Sequence, residues 1–168
     1  PCTECLGRGS IDGERAVEVD IPAGIGDGSR IRVPGRGAAG EAGGRPGDLY
    51  VEVGVEPDPR FERHGADLIH RVTVGFAEAT LGASLDVPVI AGDEFELEIP
   101  AGTQSGSVFK LTKMGMPRLR RRGRGDLLVE VNVAVPDQLT AEQEDALRAF
   151  AELTGQEPNP PSKRRRRA

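Results

Sequence analysis

The chain has 168 residues, 37% hydrophobic and 29% charged, with a formal net charge of −5. That is enough for one ordinary domain or two small ones. A negative chain has no general attraction for nucleic acid or anionic lipid, and no apolar run approaches the roughly 18 residues that span a bilayer.

The chain opens with PCTECLGRG, in which Cys2 and Cys5 have the spacing of half a zinc site. In C-x-x-C-x-G-x-G the glycines permit a tight knuckle that aims two thiolates at one ion, while zinc takes four ligands. The competing reading is a thiol oxidoreductase pair, which would open a helix inside a βαβ pattern; here alternating stretches follow instead. These two cysteines do not make a disulfide framework, so a reducing cytoplasm is the expected setting. The sequence starts with Pro, carries no signal-type leader, and reads as a piece of something longer.

AVEVDI at 16–21 alternates apolar and acidic residues, which places Val17, Val19 and Ile21 on one face of a strand. A Pro-Ala-Gly turn and a second alternating run, RIRV, come next. GRGAAG at 35–40 has the letters of a dinucleotide fingerprint, but EAGGRPGD after it cannot start the helix whose amides would meet a pyrophosphate. A hairpin loop is the better reading, leading to the strand GDLYVEVGV. PDPRFERHGA at 57–66 reads as a turn-rich hinge.

DLIHRVTV then predicts a strand, FAEATLGA a short helix, SLDVPV and EFELEI two strands, and VFKL and GDLLVEVNV two more. Between the last two lies RLRRRGRG at 118–125, without interleaved aromatics, read as a solvated loop rather than a phosphate-tracking one. LTAEQEDALRAFAELTG at 139–155 is the clearest helix. Thr140 and Gln143 form a capping box, and Gly155 is a natural stop. Its apolar stripe of Ala146, Leu147, Phe150 and Leu153 must dock, on its own domain or on a second copy. QEPNPPSKRRRRA closes the chain as a charged tail on a disordered spacer.

Sliding the chain by 78 positions aligns residues 21–56 with the stretch that begins at 99, without a gap. IPAG, Gly28/Gly106, Ser29/Ser107, Gly37/Gly115, GDL, V-E-V and Val55/Val133 match. These are fourteen identities in 36 positions, where composition alone supplies roughly two or three. The chain is therefore internally duplicated, and its first copy lacks the strand-helix-strand beginning of the second. The expected class is mainly β: two tandem small β-sandwich domains, the first truncated, and a C-terminal helix. No nucleophile motif or marked carboxylate pair accompanies His64 and His70, so no enzyme is expected.

These motifs together resemble one family, the zinc-containing DnaJ co-chaperones (J-domain proteins). CTECLGRG is similar to the last of their four cysteine modules. VEVDIPAGIGDGSRIRVPGRGAAGEAGGRPGDLYVEVGVEPDPRFER resembles the rear of their first C-terminal β-domain. DLIHRVTVGFAEATLGASLDVPV, the second IPAG, the GTQSG turn and GRGDLLVEVNVAVP resemble their second. The resemblance divides the chain into a knuckle at 1–10, β-domains at 11–60 and 61–137, a dimerisation helix at 138–155 and a basic tail at 156–168. It implies a zinc half-site at Cys2 and Cys5 whose other ligands, the J-domain and the Gly/Phe linker lie upstream.

The function implied is a non-enzymatic, cytoplasmic, homodimeric co-chaperone part. It would bind unfolded polypeptides, prevent their aggregation and, in the whole protein, deliver them to a DnaK-type ATPase. An open strand edge beside a shallow apolar groove suits such clients. The resemblance places that groove at Val17 and Val51, with Val19, Ile31 and Val53 as neighbours by alternation, for which a core position is the equal alternative. It also moves Leu147, Phe150 and Leu153 toward an intersubunit role. The rival reading is an arginine-rich nucleic-acid-binding protein using 118–125 and the tail.

Overall fold

The structure is a computed structural model that describes residues 13–40, 44–90, 92 and 94–156. The chain divides into two compact units, Pro1–Val133 and Ala134–Ala168. In the first unit β1 (Ser29–Val33) and β2 (Leu49–Val53) form a two-stranded antiparallel sheet with Ile31 opposite Val51. Next come β3 (Glu62–His64), β4 (Asp67–Gly75), the single-turn helix α1 (Phe76–Leu81), β5 (Ala83–Pro88) and β6 (Glu94–Ile99). Finally β7 (Ser107–Leu111) and β8 (Leu127–Ala134) complete a four-stranded sheet in the order β3-β4-β8-β7, while β5 and β6 pair separately. The second unit carries α2 (Ala141–Thr154).

The core belongs to the later strands. Leu68 and Val74 of β4, Val87 of β5, Leu97 and Ile99 of β6 and Leu127, Val129 and Val131 of β8 are buried in one cluster with Phe61 and Ala79. The strand residues among them come from the apolar half of a period-two pattern, while Ala79 lies on α1 and Phe61 just before β3. Strands of the four-stranded sheet and of the β5–β6 pair share this one cluster, as a β-sandwich requires. By contrast β1 and β2 alternate half-buried and exposed residues and contribute nothing fully buried. The first sandwich is represented by that single sheet.

The duplication is written in the hydrogen bonds. Ser29 faces Val53 in β1–β2, and 78 residues later Ser107 faces Val131 in β7–β8. Gly28 N–H donates to Val53 O at 3.0 Å, and Gly106 N–H to Val131 O at 2.7 Å. The loop after each first strand closes likewise: Gly37 N–H to Gly47 O at 2.8 Å, Gly115 N–H to Gly125 O at 2.9 Å. A Cβ on Gly37 would lie 2.5 Å from Asp48 O, and one on Gly115 2.7 Å from Asp126 O, so only glycine lets the two limbs meet.

Two expectations need correction. Residues 16–21 form no strand; no backbone pairing of residues 13 to 21 is made among the described residues, and Ile21 is 62% exposed. The reason is visible in the second copy. Its equivalent strand β6 pairs with β5, and the first copy has no counterpart of β5 in this sequence. The hinge at 57–66 is not merely a turn either. Residues 62–64 are β3, paired with β4, and Phe61 is buried under it, 5.7 Å from the His70 ring.

The two copies predict unequal costs. Leu127→Ala empties a fully buried site and is expected to cost about 2–5 kcal/mol. Its counterpart Leu49→Ala, half-buried, should cost less than about 2 kcal/mol by the same reckoning of lost burial. Urea denaturation of both variants checks this.

Candidate functional site: an open sheet edge and its apolar face

The β1–β2 sheet has one polar and one apolar face. On the polar face Arg30 pairs with Glu52 at 3.4 Å and Arg32 with Asp48 at 2.6 Å. The opposite face presents Ile31 and Val33 of β1 beside Leu49, Val51 and Val53 of β2. Of the five groove residues expected from sequence, the register brings Ile31, Val51 and Val53 together. Val17 and Val19 sit half-buried on the unpaired segment, with the alternation of exposure that a strand would have.

Comparison with the second copy shows what this sheet lacks. β8 is flanked by β7 on one side and β4 on the other, and its Val129 and Val131 are fully buried. Their equivalents, Val51 and Val53 of β2, have β1 on one side and no strand on the other among the described residues. They are correspondingly only half-buried. A strand with one satisfied side offers a row of N–H and C=O groups to any extended chain.

Each hairpin is clamped by the aspartate of its GD motif. Asp48 accepts from Gly35 N–H at 2.9 Å and Arg32 Nε at 2.7 Å. Asp126 accepts from Lys113 N–H at 2.9 Å and pairs with Lys110 Nζ at 2.8 Å. The Gly35 amide, then Arg32, hold the Asp48 carboxyl below its ordinary value. Lys110, then the Lys113 amide, do the same for Asp126.

The remaining predicted residues stand apart. In the second unit α2 is capped as its sequence requires, with Thr140 Oγ1 accepting from Gln143 N–H and Gly155 in the left-handed region at φ 67°. No residue of α2 is buried; Leu147, Phe150 and Leu153 are exposed. Cys2 and Cys5 lie outside the described residues. Among the described residues no three His, Cys, Asp or Glu side chains gather as metal ligands. Both histidines have other partners: His64 Nε2 meets Glu62 at 2.7 Å, and His70 Nδ1 meets the Arg60 carbonyl oxygen at 2.7 Å. Arg118–Arg124 caps an exposed hairpin closed by Arg118 N–H to Gly123 O. Among the described residues no helix is long and apolar enough to cross a membrane.

One feature escaped sequence reasoning. A cleft of about 920 Å³ opens where the end of β2 and the 57–66 segment meet the second sheet, with Val55, Phe61, Leu68, Ile90 and Met116 among its lining. These residues are scattered over 62 positions of chain and share no periodicity. The one local signal was an apolar Phe61 inside an otherwise polar stretch.

Residues 9–136 match the family model described as the DnaJ C terminal domain. A protein named Chaperone protein DnaJ from Haloarcula marismortui is 49% identical over 156 residues, covering 93% of this chain and 40% of that protein. Its namesake from Methylorubrum extorquens is 44% identical over 162 residues, covering 96% of this chain and 42% of its own. That from Chlamydia trachomatis is 46% identical over 165 residues, covering 98% and 42%. The chain thus spans about two fifths of the length of the curated relatives it matches. Nothing in these matches supports the nucleic-acid reading of residues 118–125.

The paired clamps predict an acid-dependent stability. A carboxyl whose value is lowered by folding stabilises the fold above the unfolded value and loses that contribution as pH falls through the lowered one. The melting temperature of the wild type should therefore exceed that of the Asp48→Asn/Asp126→Asn variant above pH 3.8, the ordinary aspartate value. The gap should shrink as pH drops below it. A gap independent of pH in thermal melts would mean the carboxylate charge is immaterial.

Proposed function

We infer, since the chain belongs to the DnaJ C-terminal domain family, that it is the client-holding part of a co-chaperone. It binds extended, apolar segments of non-native polypeptides and keeps them from aggregating. In the whole protein it passes them to a DnaK-type ATPase. It does no covalent chemistry itself and works in the cytoplasm. The observation that carries this reading is the outer side of β2. Among the described residues its main-chain groups lack the neighbour that β4 gives to β8, and Val51 and Val53 stand half-buried next to them. A client adding a strand there gains main-chain hydrogen bonds of any sequence, while Val17, Val19, Ile31, Val51 and Val53 receive alternate apolar side chains.

The exposed stripe of α2, with Leu147, Phe150 and Leu153, supports a homodimer made through this helix. Two copies give two weak holding sites on one particle, and the second contact with a floppy client is then intramolecular. Cys2 and Cys5 supply two thiolates of a zinc site. Two thiolates leave two of the four zinc positions to other ligands.

Replacing Val17 and Val51 by Asp should leave the far-UV circular dichroism unchanged and reduce suppression of aggregation of a denatured client several-fold. Unchanged protection would move the holding site elsewhere. Repeating the assay in the full-length protein separates a client strand from a strand of the protein itself on β2, since only the former leaves the edge free to bind. Removing residues 139–168 should give a monomer in sedimentation velocity; a dimer that persists would place the interface outside α2.

A further inference from the structure

The cleft beside β3 has an unequal charge balance. Its floor is apolar: Phe61 and Leu68 are buried, Ile90 and Met116 half-buried, and Val55 is partly exposed at the rim. Around this floor stand four acids, Asp27, Glu56, Asp58 and Glu62, and one cation, Arg63. Arg63 neutralises none of them. Its guanidinium donates to the carbonyls of Gly65 at 2.8 Å, Ile25 at 2.8 Å and Gly24 at 2.6 Å. Asp58 is paired with Arg60, and Glu62 with His64 and Arg71. Asp27 accepts only from the Val55 amide, at 2.8 Å, and Glu56 has no partner among the described residues. Two carboxylates without a cation therefore flank Val55 at the mouth of an oily floor.

We propose that this cleft is a second docking site, for polypeptide segments in which an apolar residue is flanked by lysine or arginine. It rests on the reading of this chain as a holder of non-native polypeptides, and it adds a preference that the β2 edge, bonding through main chain, does not have. Its volume lies within the roughly 300–1,000 Å³ of ordinary ligand sites. An apolar side chain fits against Ile90, Met116 and Val55. A basic neighbour then finds Glu56 or Asp27 at the rim, where a long cationic side chain keeps its stem on apolar surface and its head in water. An acidic neighbour would meet two like charges instead.

The test uses two labelled decapeptides with the same leucine-valine centre, one flanked by lysines and one by glutamates, titrated by fluorescence anisotropy. The lysine peptide should bind about fivefold more tightly at low salt, as one or two exposed ion pairs allow, and that preference should fade at high salt. Glu56 is exposed and unbonded, so Glu56→Lys should fold normally and abolish the preference. Val55→Ser should weaken the lysine peptide without touching the charges. Val17→Asp/Val51→Asp should leave the preference intact. Equal binding of the two peptides, or a preference that survives Glu56→Lys, overturns the cleft while leaving the holding function standing. Failure of both peptides to bind the unmodified chain overturns both.

Discussion

Every strand has two sides of hydrogen-bonding groups, and each side must meet protein or water. The difference between the two copies of this chain follows from how that demand is met. In the second copy β8 is bonded on both sides and shares one core cluster with β5 and β6, and its Val129 and Val131 are fully buried. In the first copy the equivalent β2 is bonded on one side among the described residues, and the same valines are half-covered. The local sequence, V-E-V followed by a residue and Val, is the same in both. Neighbours, not composition, turn one copy into a core and the other into a surface with unused bonding capacity.

The shared part of the two copies is a hairpin whose closure is unusually well defined. Its glycines let the limbs approach to main-chain contact, and its aspartate holds a loop amide and a cation of the opposite strand at once. These bonds are local and exposed, so each adds little alone. Their value is geometric. By fixing the register of β1 on β2 they keep Ile31 opposite Val51, and a slip of one residue would turn every apolar side chain to the charged face. The apolar face of this sheet thus depends on a polar device on its opposite face.

Much of this was legible in the sequence, and the reasons differ by element. The period-two runs at 29–33, 49–53, 94–99, 107–111 and 127–134 became strands because each has a partner in the chain. AVEVDI has the same alternation and did not, because period alone cannot create the neighbour a strand requires. The capping box at Thr140 and Gln143 marked α2 accurately, since caps act within a few residues of chain. β3 was hidden in a polar, turn-like stretch, and its three residues are held by β4 rather than by any propensity of their own. Of the five expected groove residues, the three on β1 and β2 are brought together by register, whereas the cleft, assembled from separate turns and strands, leaves only Phe61 as a local trace in the sequence.

The contacts joining the first turn to the later strands are made largely by main-chain atoms. A Cβ on Gly24 would run into the Pro117 carbonyl, and Arg63 reaches the carbonyls of residues 24 and 25. Such a seam is nearly blind to the side chains on either bank. Halves taken from two divergent relatives should therefore dock as interchangeable parts wherever glycine and arginine hold these posts, which leaves evolution free to vary each half's surface without renegotiating the joint.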